Sequence, residues 1–314
     1  ILSYIKINMK NIIVVESPTK AKKIQKYFTD GTKVISSYGH IYDLPKSAIS
    51  IDIKNNFKPN YKPLSGKEKI IKDLRNYSKD YNVLLAADDD REGDAIAWHC
   101  GKVMKVNFKE NNRIIFHEIS KDAVLKSIKN VHKLNMDSVN AQQERRIIDR
   151  LVGYSLSPCL WKHIKTKKMG LSAGRVQSTV LKILKEHEET INNYESEYAY
   201  EFMGDFICDK TKIKCELLFH IDEIEPLKIM KILQKNKEFI VKKNTTKQEK
   251  KYPPQTLITT TLQQAAQNEL GFPIKMTMNI AQKLFENGKI TYMRTDSTYI
   301  SEDFQKTIER KINN

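Results

Sequence analysis

An unbroken apolar run that ends in a dense acidic cluster constrains this chain more than any other feature. Residues 83–87 are all apolar, which is typical of a strand buried on both faces, and the seven positions 88–94 then hold four aspartates and one glutamate before a helix pattern. The chain has a formal net charge of +16, yet the cluster itself holds a single arginine. Its carboxylates therefore need a further cation to offset their repulsion. Asp88, Asp90 and Glu92 offer hard oxygens to Mg²⁺, whereas the alternative, an acidic helix cap, needs only one or two carboxylates.

The front of the chain repeats this arrangement. Residues 11–15 form an apolar run that ends at Glu16, and Ser17 and Pro18 then supply an N-cap and a first-turn proline for a helix. In an open parallel sheet, ligands bind at the carboxyl ends of the strands. We therefore expect Glu16 to converge with the acidic cluster on one edge of a sheet, and Lys20, one turn into the helix, to face the same edge.

Strand and helix patterns alternate over about the first 133 residues. Besides the two strands above, strands are predicted over 33–37 and 113–118, and helices over 19–28, 67–79 and 121–130. This order predicts an α/β domain with a mostly parallel sheet. His40 lies in a loop after the second strand and is either a phosphate contact or a structural or exposed histidine.

The overall composition excludes several classes of protein. At 314 residues the chain has room for two or three domains, and no apolar run approaches membrane-spanning length. Residues 1–8 are too short for a signal peptide, so we treat them as a leader, with Met9 as the natural start or the chain as a fragment. The four scattered cysteines indicate free thiols in an intracellular compartment, with a Cys208–Cys215 pair across a hairpin as the alternative. The excess of lysine and arginine favours a polyanion partner, most simply nucleic acid.

After the α/β domain the pattern becomes helical. On a helix predicted over 137–165, Arg145 and Asp149 share a face, either as a surface ion pair or as part of a binding site. A small-residue turn then opens another helix at Arg175. Residues 162–185 hold seven basic side chains and no acidic one, which favours contact with a nucleic-acid phosphate over a merely solvated face.

The remaining chain first turns to strands and then back to helices. A hairpin is predicted here. Its first strand is indicated by the alternation of Tyr198, Tyr200 and Phe202, and its second strand is predicted over 213–219. We expect this part of the chain to be scaffold. The further predicted elements are a helix over 225–235, a strand over 239–243, a helix from Thr260 or Thr261 to Leu270, and a helix over 274–287.

Tyr292, Arg294 and Asp296 follow the last of these helices. If this segment is extended, residues two apart share a face. A tyrosine hydroxyl is a poor nucleophile at neutral pH, but a neighbouring arginine can stabilise the phenolate or the phosphate that it attacks. Tyr292 is therefore a candidate nucleophile, although the spacing alone leaves it one tyrosine among fourteen.

Four motifs, in this order, resemble those of the type IA DNA topoisomerases. They are VVESPTKA over 14–21, DDDREG over 88–93, LSAGRVQS over 171–178 and ITYMRTDS over 290–297. The AIAWH segment over 95–99 resembles the bacterial topoisomerase I branch rather than topoisomerase III or reverse gyrase. The resemblance extends from about Met9 to the end of the chain.

The resemblance implies a multidomain protein with α/β and α+β parts. The expected segments are a Toprim domain with a Rossmann-like parallel sheet over 9–134, a helical DNA-strand-binding segment over 135–193, a β-rich scaffold segment over 194–256 and an incomplete helical tyrosine-bearing domain over 257–314. It also implies a monomer that needs Mg²⁺ and DNA, with no nucleotide cofactor and no membrane. The absence of a Gly-x₄-Gly-Lys-Ser/Thr loop agrees with an ATP-independent reaction.

The roles of single residues follow from the same resemblance. Tyr292 would attack a single-strand phosphodiester and stay joined to the 5′-phosphate while another strand passes, and the 3′-hydroxyl would then reseal the break, which relaxes negatively supercoiled DNA. Arg294 and Lys20 would assist at the phosphate, and Glu16 would act both there and in the metal cluster with Asp88, Asp90 and Glu92. The positions expected near the DNA strand are Arg145, Arg146, Asp149, Arg175, Gln177 and His40.

Three departures from the family pattern stand out. Asp89 replaces an apolar residue between two metal carboxylates, Pro253-Pro254 replaces the common Pro-Phe, and the chain stops 22 residues after Tyr292, so it is expected to be an incomplete fragment. Two other functions remain open. A Toprim nuclease or primase-like enzyme would need Mg²⁺ but not Tyr292, and a non-catalytic single-strand-binding remnant would need neither.

Overall fold

The structure is a computed structural model and describes residues 10–165, 170–196, 200–208, 210–217, 226–236 and 238–312. The chain divides into two compact units, one made of residues up to Gln177 together with those from Pro254 onwards, and the other of Ser178–Pro253. The sheet and the tyrosine segment thus belong to the same unit. The boundaries of the four expected segments stay a prediction.

The first unit begins with alternating strands and helices, as predicted. Its elements to residue 129 are β1 (Asn11–Val15), α1 (Pro18–Gln25), β2 (Lys33–Ser36), β3 (Tyr42–Asp43), β4 (Ile51–Asp52), β5 (Lys58–Pro59), β6 (Lys62–Pro63), α2 (Glu68–Asp80), β7 (Asn82–Leu85), α3 (Arg91–Val103) and α4 (Lys121–Lys129). The remaining elements of the chain are α5 (Met136–His163), α6 (Arg175–Asn192), β8 (Met203–Cys208), β9 (Thr211–Glu216), α7 (Pro226–Lys235), α8 (Thr259–Leu270), α9 (Ile274–Glu286) and α10 (Glu302–Ile312).

A three-stranded parallel sheet in the order β2-β1-β7 forms the centre of the first unit. Since successive side chains of a strand point to opposite faces, β1 contributes to two cores. Ile13 and Val15 pack on one face with residues of α1, α4 and α9, while Ile12 and Val14 pack on the other with residues of α2 and α3. The sheet is therefore covered on both sides, which explains why β1 and β7 are apolar after their first residue.

Three helices of this unit begin at side-chain caps. Asp90 accepts a hydrogen bond from the Gly93 amide at the start of α3, Ser120 caps α4, and Asn135 caps α5. The starts of α4 and α5 agree with the prediction to within one residue, whereas α3 begins at Arg91, inside the acidic cluster and four residues before the predicted start. The cap at the start of α3 fixes the position of Asp90 independently of its contacts with distant residues.

The predicted strand over 113–118 is wrong. Arg113 forms only isolated bridges to Leu85 and His132. Its guanidinium turns inward and donates to the carbonyl oxygens of Ala87 and Asp88, 2.6 and 2.7 Å away. Backbone acceptors that a longer strand would have used are thus taken by a side chain.

The second unit holds fewer strands than expected. Strands β8 and β9 pair antiparallel, but β8 begins at Met203, so Tyr200 and Phe202 are not part of it, while Tyr198 lies outside the described residues. The predicted strand over 239–243 is also wrong, since it has no strand beside it in the described part of the chain.

The cysteines of the hairpin do not face each other. Cys208 lies opposite Thr211 and Cys215 opposite Gly204, so a disulfide between them is excluded by register. The structure has all four cysteines as free thiols, as the sequence indicates.

The helices before the tyrosine agree with prediction. Helix α8 ends at Gly271 and α9 is followed by Gly288, both with positive φ. The segment after α9 is not a strand; it is held instead by single hydrogen bonds, such as that from the Thr259 hydroxyl to the Met293 carbonyl at 2.8 Å. Within the described ranges, no helix combines the length and apolar character that crossing a membrane requires.

Candidate active site

Glu16, Lys20 and Asp88 meet at the carboxyl ends of β1 and β7. Lys20 is fully buried, with 0% of its surface exposed, and its ammonium contacts both the Glu16 and the Asp88 carboxylates. The Asp88 backbone amide also donates to Glu16, at 2.9 Å. The expected convergence of Glu16 and Lys20 with the acidic cluster is therefore present in the structure. A buried ammonium needs such partners, since an unpaired charge in the interior is strongly unfavourable.

Two carboxylates that share one lysine do not ionise equally. Burial and the neighbouring Glu16 raise the pKa of Asp88 to about 8. Burial acts in the same direction on Glu16, but hydrogen bonds from Asp88 and Lys20 outweigh it and lower the pKa of Glu16. The pair thus holds a negative charge on Glu16 beside the lysine and favours a proton on Asp88.

Asp90 joins the acidic cluster to the tyrosine segment. One of its carboxylate oxygens caps α3, and the other accepts hydrogen bonds from the Tyr292 hydroxyl at 2.5 Å and from Arg294 at 3.1 Å. Tyr292 and Arg294 therefore act on the same oxygen, although the segment that carries them is not the strand on which a shared face was expected. Asp296, the third member of that pattern, is exposed.

The Tyr292 side chain is held firmly in this position. It is 6% exposed, its ring packs edge-to-face on Phe285 at 5.1 Å between centroids, and its amide donates to the His117 carbonyl at 2.8 Å. Burial, together with Asp88 and Asp90, raises the pKa of the Tyr292 hydroxyl well above its usual range. In this arrangement the phenol keeps its proton and donates it to Asp90.

Glu92 lies at the start of α3 and has neutral and ionisable partners. His40 contacts it at 2.9 Å, and the amide of Gln142 donates to both its oxygens at 3.3 Å. The hydrogen bond to His40 lowers the pKa of Glu92 to about 2. His40, which the sequence left open, is thus placed at the acidic cluster. Arg146 lies nearby on α5 and pairs with Asp43.

Arg113, like Gln142, is a residue of the site that sequence reasoning missed. It is 1% exposed and pairs with Asp94 at 3.0 Å while it holds the carbonyls that precede the acidic cluster. The signal that could have found it is an arginine at the head of the apolar run over 113–116, together with a cluster short of cations. Arg113 supplies part of that missing charge.

The other residues expected near DNA lie on α5 and at the start of α6. Asp149 accepts a hydrogen bond from Arg175 at 3.0 Å, and Gln177 donates to Ser172 at 3.3 Å. Arg145 is exposed and forms no ion pair with Asp149 within the described chain, so the surface pair considered from the sequence is replaced by the Asp149–Arg175 pair.

The acidic cluster has the donor chemistry of a magnesium site. Its oxygens are hard carboxylate donors at the ends of neighbouring strands. Burial raises the pKa of the Asp88 carboxyl, and a nearby cation would lower that pKa again by stabilising the carboxylate. In the arrangement described, Lys20, Tyr292, Arg294 and His40 hold these oxygens, and no three acidic, histidine or cysteine side chains of the described residues form a metal-binding group. The residues thus fit Mg²⁺ by type.

Comparisons with known proteins agree with this geometry. Residues 11–119 match the Toprim domain, and residues 133–314 match a family described as DNA topoisomerase. The structure is similar to that of full-length topoisomerase I from Thermotoga maritima, with 38% sequence identity and a TM-score of 0.84, over 96% of this chain and 52% of that one. The chain therefore spans about half the length of that relative.

Fold and site together define a Toprim protein whose acidic sheet edge meets a tyrosine. The chain belongs to the DNA topoisomerase family, and its resemblance to the type IA, bacterial topoisomerase I-like members is confirmed.

Proposed function

We propose that this chain carries the DNA-cleaving centre of a type IA topoisomerase, with Tyr292 as the nucleophile. The observation that supports this most strongly is the contact of the Tyr292 hydroxyl with Asp90 at 2.5 Å, beside Arg294. A tyrosine, a proton acceptor and a cation around one oxygen are the parts that attack on a phosphodiester requires.

The cleavage step exchanges one bond to phosphorus for another. The Tyr292 oxygen bonds to phosphorus, the bond from phosphorus to the 3′-oxygen breaks, and the 3′-oxygen takes up a proton from solvent water and leaves as a hydroxyl. Asp90 is within hydrogen-bond distance of the phenolic proton and accepts it as the oxygen attacks. Resealing is the reverse reaction. The bond energy is kept in the 5′-phosphotyrosine, so no nucleotide cofactor is needed.

Two cations act on the phosphate in this proposal. Arg294 stabilises the charge that develops on the phosphoryl oxygens, and Lys20 does so from the opposite, buried side, while Glu16 keeps Lys20 in place. Entry of a DNA phosphate would compete with Asp90 and Asp88 for these cations. The carboxylates freed in this way are the donors that we assign to Mg²⁺.

Toprim domains generally bind Mg²⁺, and we assign it here to Asp88, Asp90 and Glu92, with Glu16 next to them. When bound, the ion supplies positive charge that offsets the repulsion between these carboxylates and the phosphate. The residues of the chain then orient the strand, exclude water from the buried pair and move the phenolic proton.

The surfaces of α5 and α6 are assigned to the DNA strand. Arg145, Arg146, Arg175, Gln177 and His40 would position the sugar-phosphate backbone, with Asp149 orienting Arg175. In the whole protein, strand passage would relax negatively supercoiled DNA without ATP, by a monomer in an intracellular DNA compartment. The chain spans about half the length of the Thermotoga maritima protein, and we propose this relaxation activity for the whole protein.

Covalent trapping tests the proposal. The chain is mixed with a single-stranded oligonucleotide and Mg²⁺, denatured and examined for labelled protein, with Tyr292→Phe alongside and Tyr299→Phe as the matched control, since Tyr299 is 75% exposed. We expect an adduct with a 3′-end label and none with a 5′-end label, because the tyrosine retains the 5′-phosphate of the downstream piece.

Each other result points to a different protein. Cleavage that survives Tyr292→Phe would indicate a Toprim nuclease or primase-like enzyme. Strand binding without an adduct, indifferent to Mg²⁺ and to Tyr292, would indicate a non-catalytic binding protein.

A further inference from the structure

The outward face of α1 carries a group of lysines that the cleavage chemistry does not use. Lys20, Ala21 and Ile24 point into the protein and are buried. Lys22 and Lys26 are exposed on the other side, one helical turn apart, and Lys23 beside them is half-buried. This face is distinct from the one that holds Glu16 and Asp88.

These three lysines line an open cleft with a volume of about 630 Å³. Its wall includes Thr19 and Tyr27 from the same part of the chain and Asn287 from the turn after α9. The Lys23 ammonium donates to the carbonyl oxygen of Asn287. The cleft thus lies where α1 meets the turn that leads to the tyrosine segment.

The lining has positive charge that nothing in it balances. No carboxylate contributes to the wall, and within the described residues none of the three lysines forms an ion pair with an acidic side chain. Burial and the nearby Lys289 lower the pKa of Lys23, so its charged form is held at a cost. An anion in the cleft would remove that cost.

We propose that this cleft, on the face of α1 opposite the buried Lys20, is a second phosphate-binding site that takes a backbone phosphate of a single-stranded nucleic acid. A strand suits it better than a small anion because Lys22 and Lys26 lie about 6 Å apart along the helix axis, as a row of cations along a backbone does. The net charge of +16 favours the same class of partner. A phosphate there contacts both α1 and the turn after α9.

Chemical protection of the lysines tests the assignment directly. The 314-residue chain, in the Tyr292→Phe form so that no covalent adduct forms, is acetylated with and without an oligothymidylate, and each lysine is quantified by mass spectrometry. We expect Lys22 and Lys26 to be protected several-fold by the oligonucleotide, while Lys69 and Lys72, exposed on α2, serve as internal controls and are unchanged.

Inorganic phosphate in a parallel sample separates the two sources of the anion. Protection by the oligonucleotide at concentrations where phosphate has no effect supports the proposal. Equal protection by phosphate alone, or no protection by either, overturns it. A failed proposal for Tyr292 would leave this result unaffected, since the assay needs no cleavage.

A charge-matched pair of variants gives the second measurement. Each bound phosphate contact adds about 0.7 to the slope of log affinity against log salt for single strands. We expect Lys22→Gln/Lys26→Gln, which removes the contact with one phosphate, to reduce that slope by about 0.7 and Lys69→Gln/Lys72→Gln, which removes the same charge from α2, to leave it unchanged. Equal slopes for the two double variants would overturn the proposal.

Discussion

The Tyr292 hydroxyl lies 2.5 Å from Asp90, although the two residues are 202 positions apart in the chain. Asp90 is held by the start of α3, and Tyr292 by Phe285 and by the carbonyl of His117. Two rigid anchors therefore set the distance between nucleophile and proton acceptor. Substitutions that disturb the position of Asp90 or of Tyr292 should slow cleavage, and substitutions of neighbouring residues should not.

Asp90→Asn tests the role of that carboxylate. Asparagine caps a helix about as well as aspartate, so the fold should persist, but the amide cannot accept the proton and offers less charge. We expect adduct formation to fall by about 100-fold or more. Asp89→Asn is the control, because Asp89 lies next to Asp90 but contacts His117, at 3.7 Å, rather than Tyr292. Equal losses in both variants would contradict the assignment.

Arg294→Ala should slow cleavage without unfolding the chain. A positioned donor at developing charge contributes about 10²–10³ in rate, and Arg294 is half exposed, so its removal leaves no buried gap. Adduct formation is followed in single-turnover experiments at saturating oligonucleotide. Arg310→Ala on α10 removes the same charge at an exposed position, and a comparable loss there would show that only overall charge matters.

Arg113→Met should destabilise the protein by about 3–5 kcal/mol, since it leaves Asp94 buried without its partner. Urea denaturation measures the change. Adding Asp94→Asn to this variant removes the stranded charge, so we expect the double variant to recover part of the loss. If the losses in unfolding free energy of Arg113→Met and Asp94→Asn simply add in the double variant, the two side chains do not interact as described.

His99 should make stability depend on pH. Its ring packs among Tyr42, Tyr61 and Trp98, and burial lowers its pKa to about 4 from the ordinary 6.5. The unfolded chain therefore binds its proton first, and stability is lost as pH falls from about 6.5 towards 4. The difference of 2.5 between these pKa values (6.5 minus 4) corresponds to roughly 3 kcal/mol.

Urea midpoints across this pH window check the prediction. His99→Phe keeps an aromatic ring in place but has no proton to bind. We expect the variant to lose less stability than the parent chain on acidification. Identical pH profiles would show that other groups carry the dependence.

Gly288→Ala should destabilise the turn between α9 and Tyr292. Gly288 has φ of +59°, and a Cβ there would lie 2.6 Å from the carbonyl oxygen of Ile119. Gly66 also has positive φ, but nothing lies within 4 Å of the added atom. Gly66→Ala should therefore cost about 1 kcal/mol and Gly288→Ala clearly more; thermal unfolding compares them.

The sequence by itself determined the local structure around the site. The runs that became β1 and β7, the start of α1 at Pro18 and the ends of α8 and α9 could all be predicted, because strands buried on both faces and helix ends depend on neighbouring residues. The edge where Glu16, Lys20 and Asp88 meet followed from the rule for parallel sheets. The four motifs identified the family.

Only the tertiary structure decided which groups meet across long separations. It placed Arg113 beneath the acidic cluster and so ended a strand that the apolar pattern predicts, since the side chain takes carbonyls that a ladder would use. It also put Tyr292 on Asp90. Neither contact is fixed by the neighbouring residues in the chain, because each depends on how separate elements pack on the two faces of one sheet.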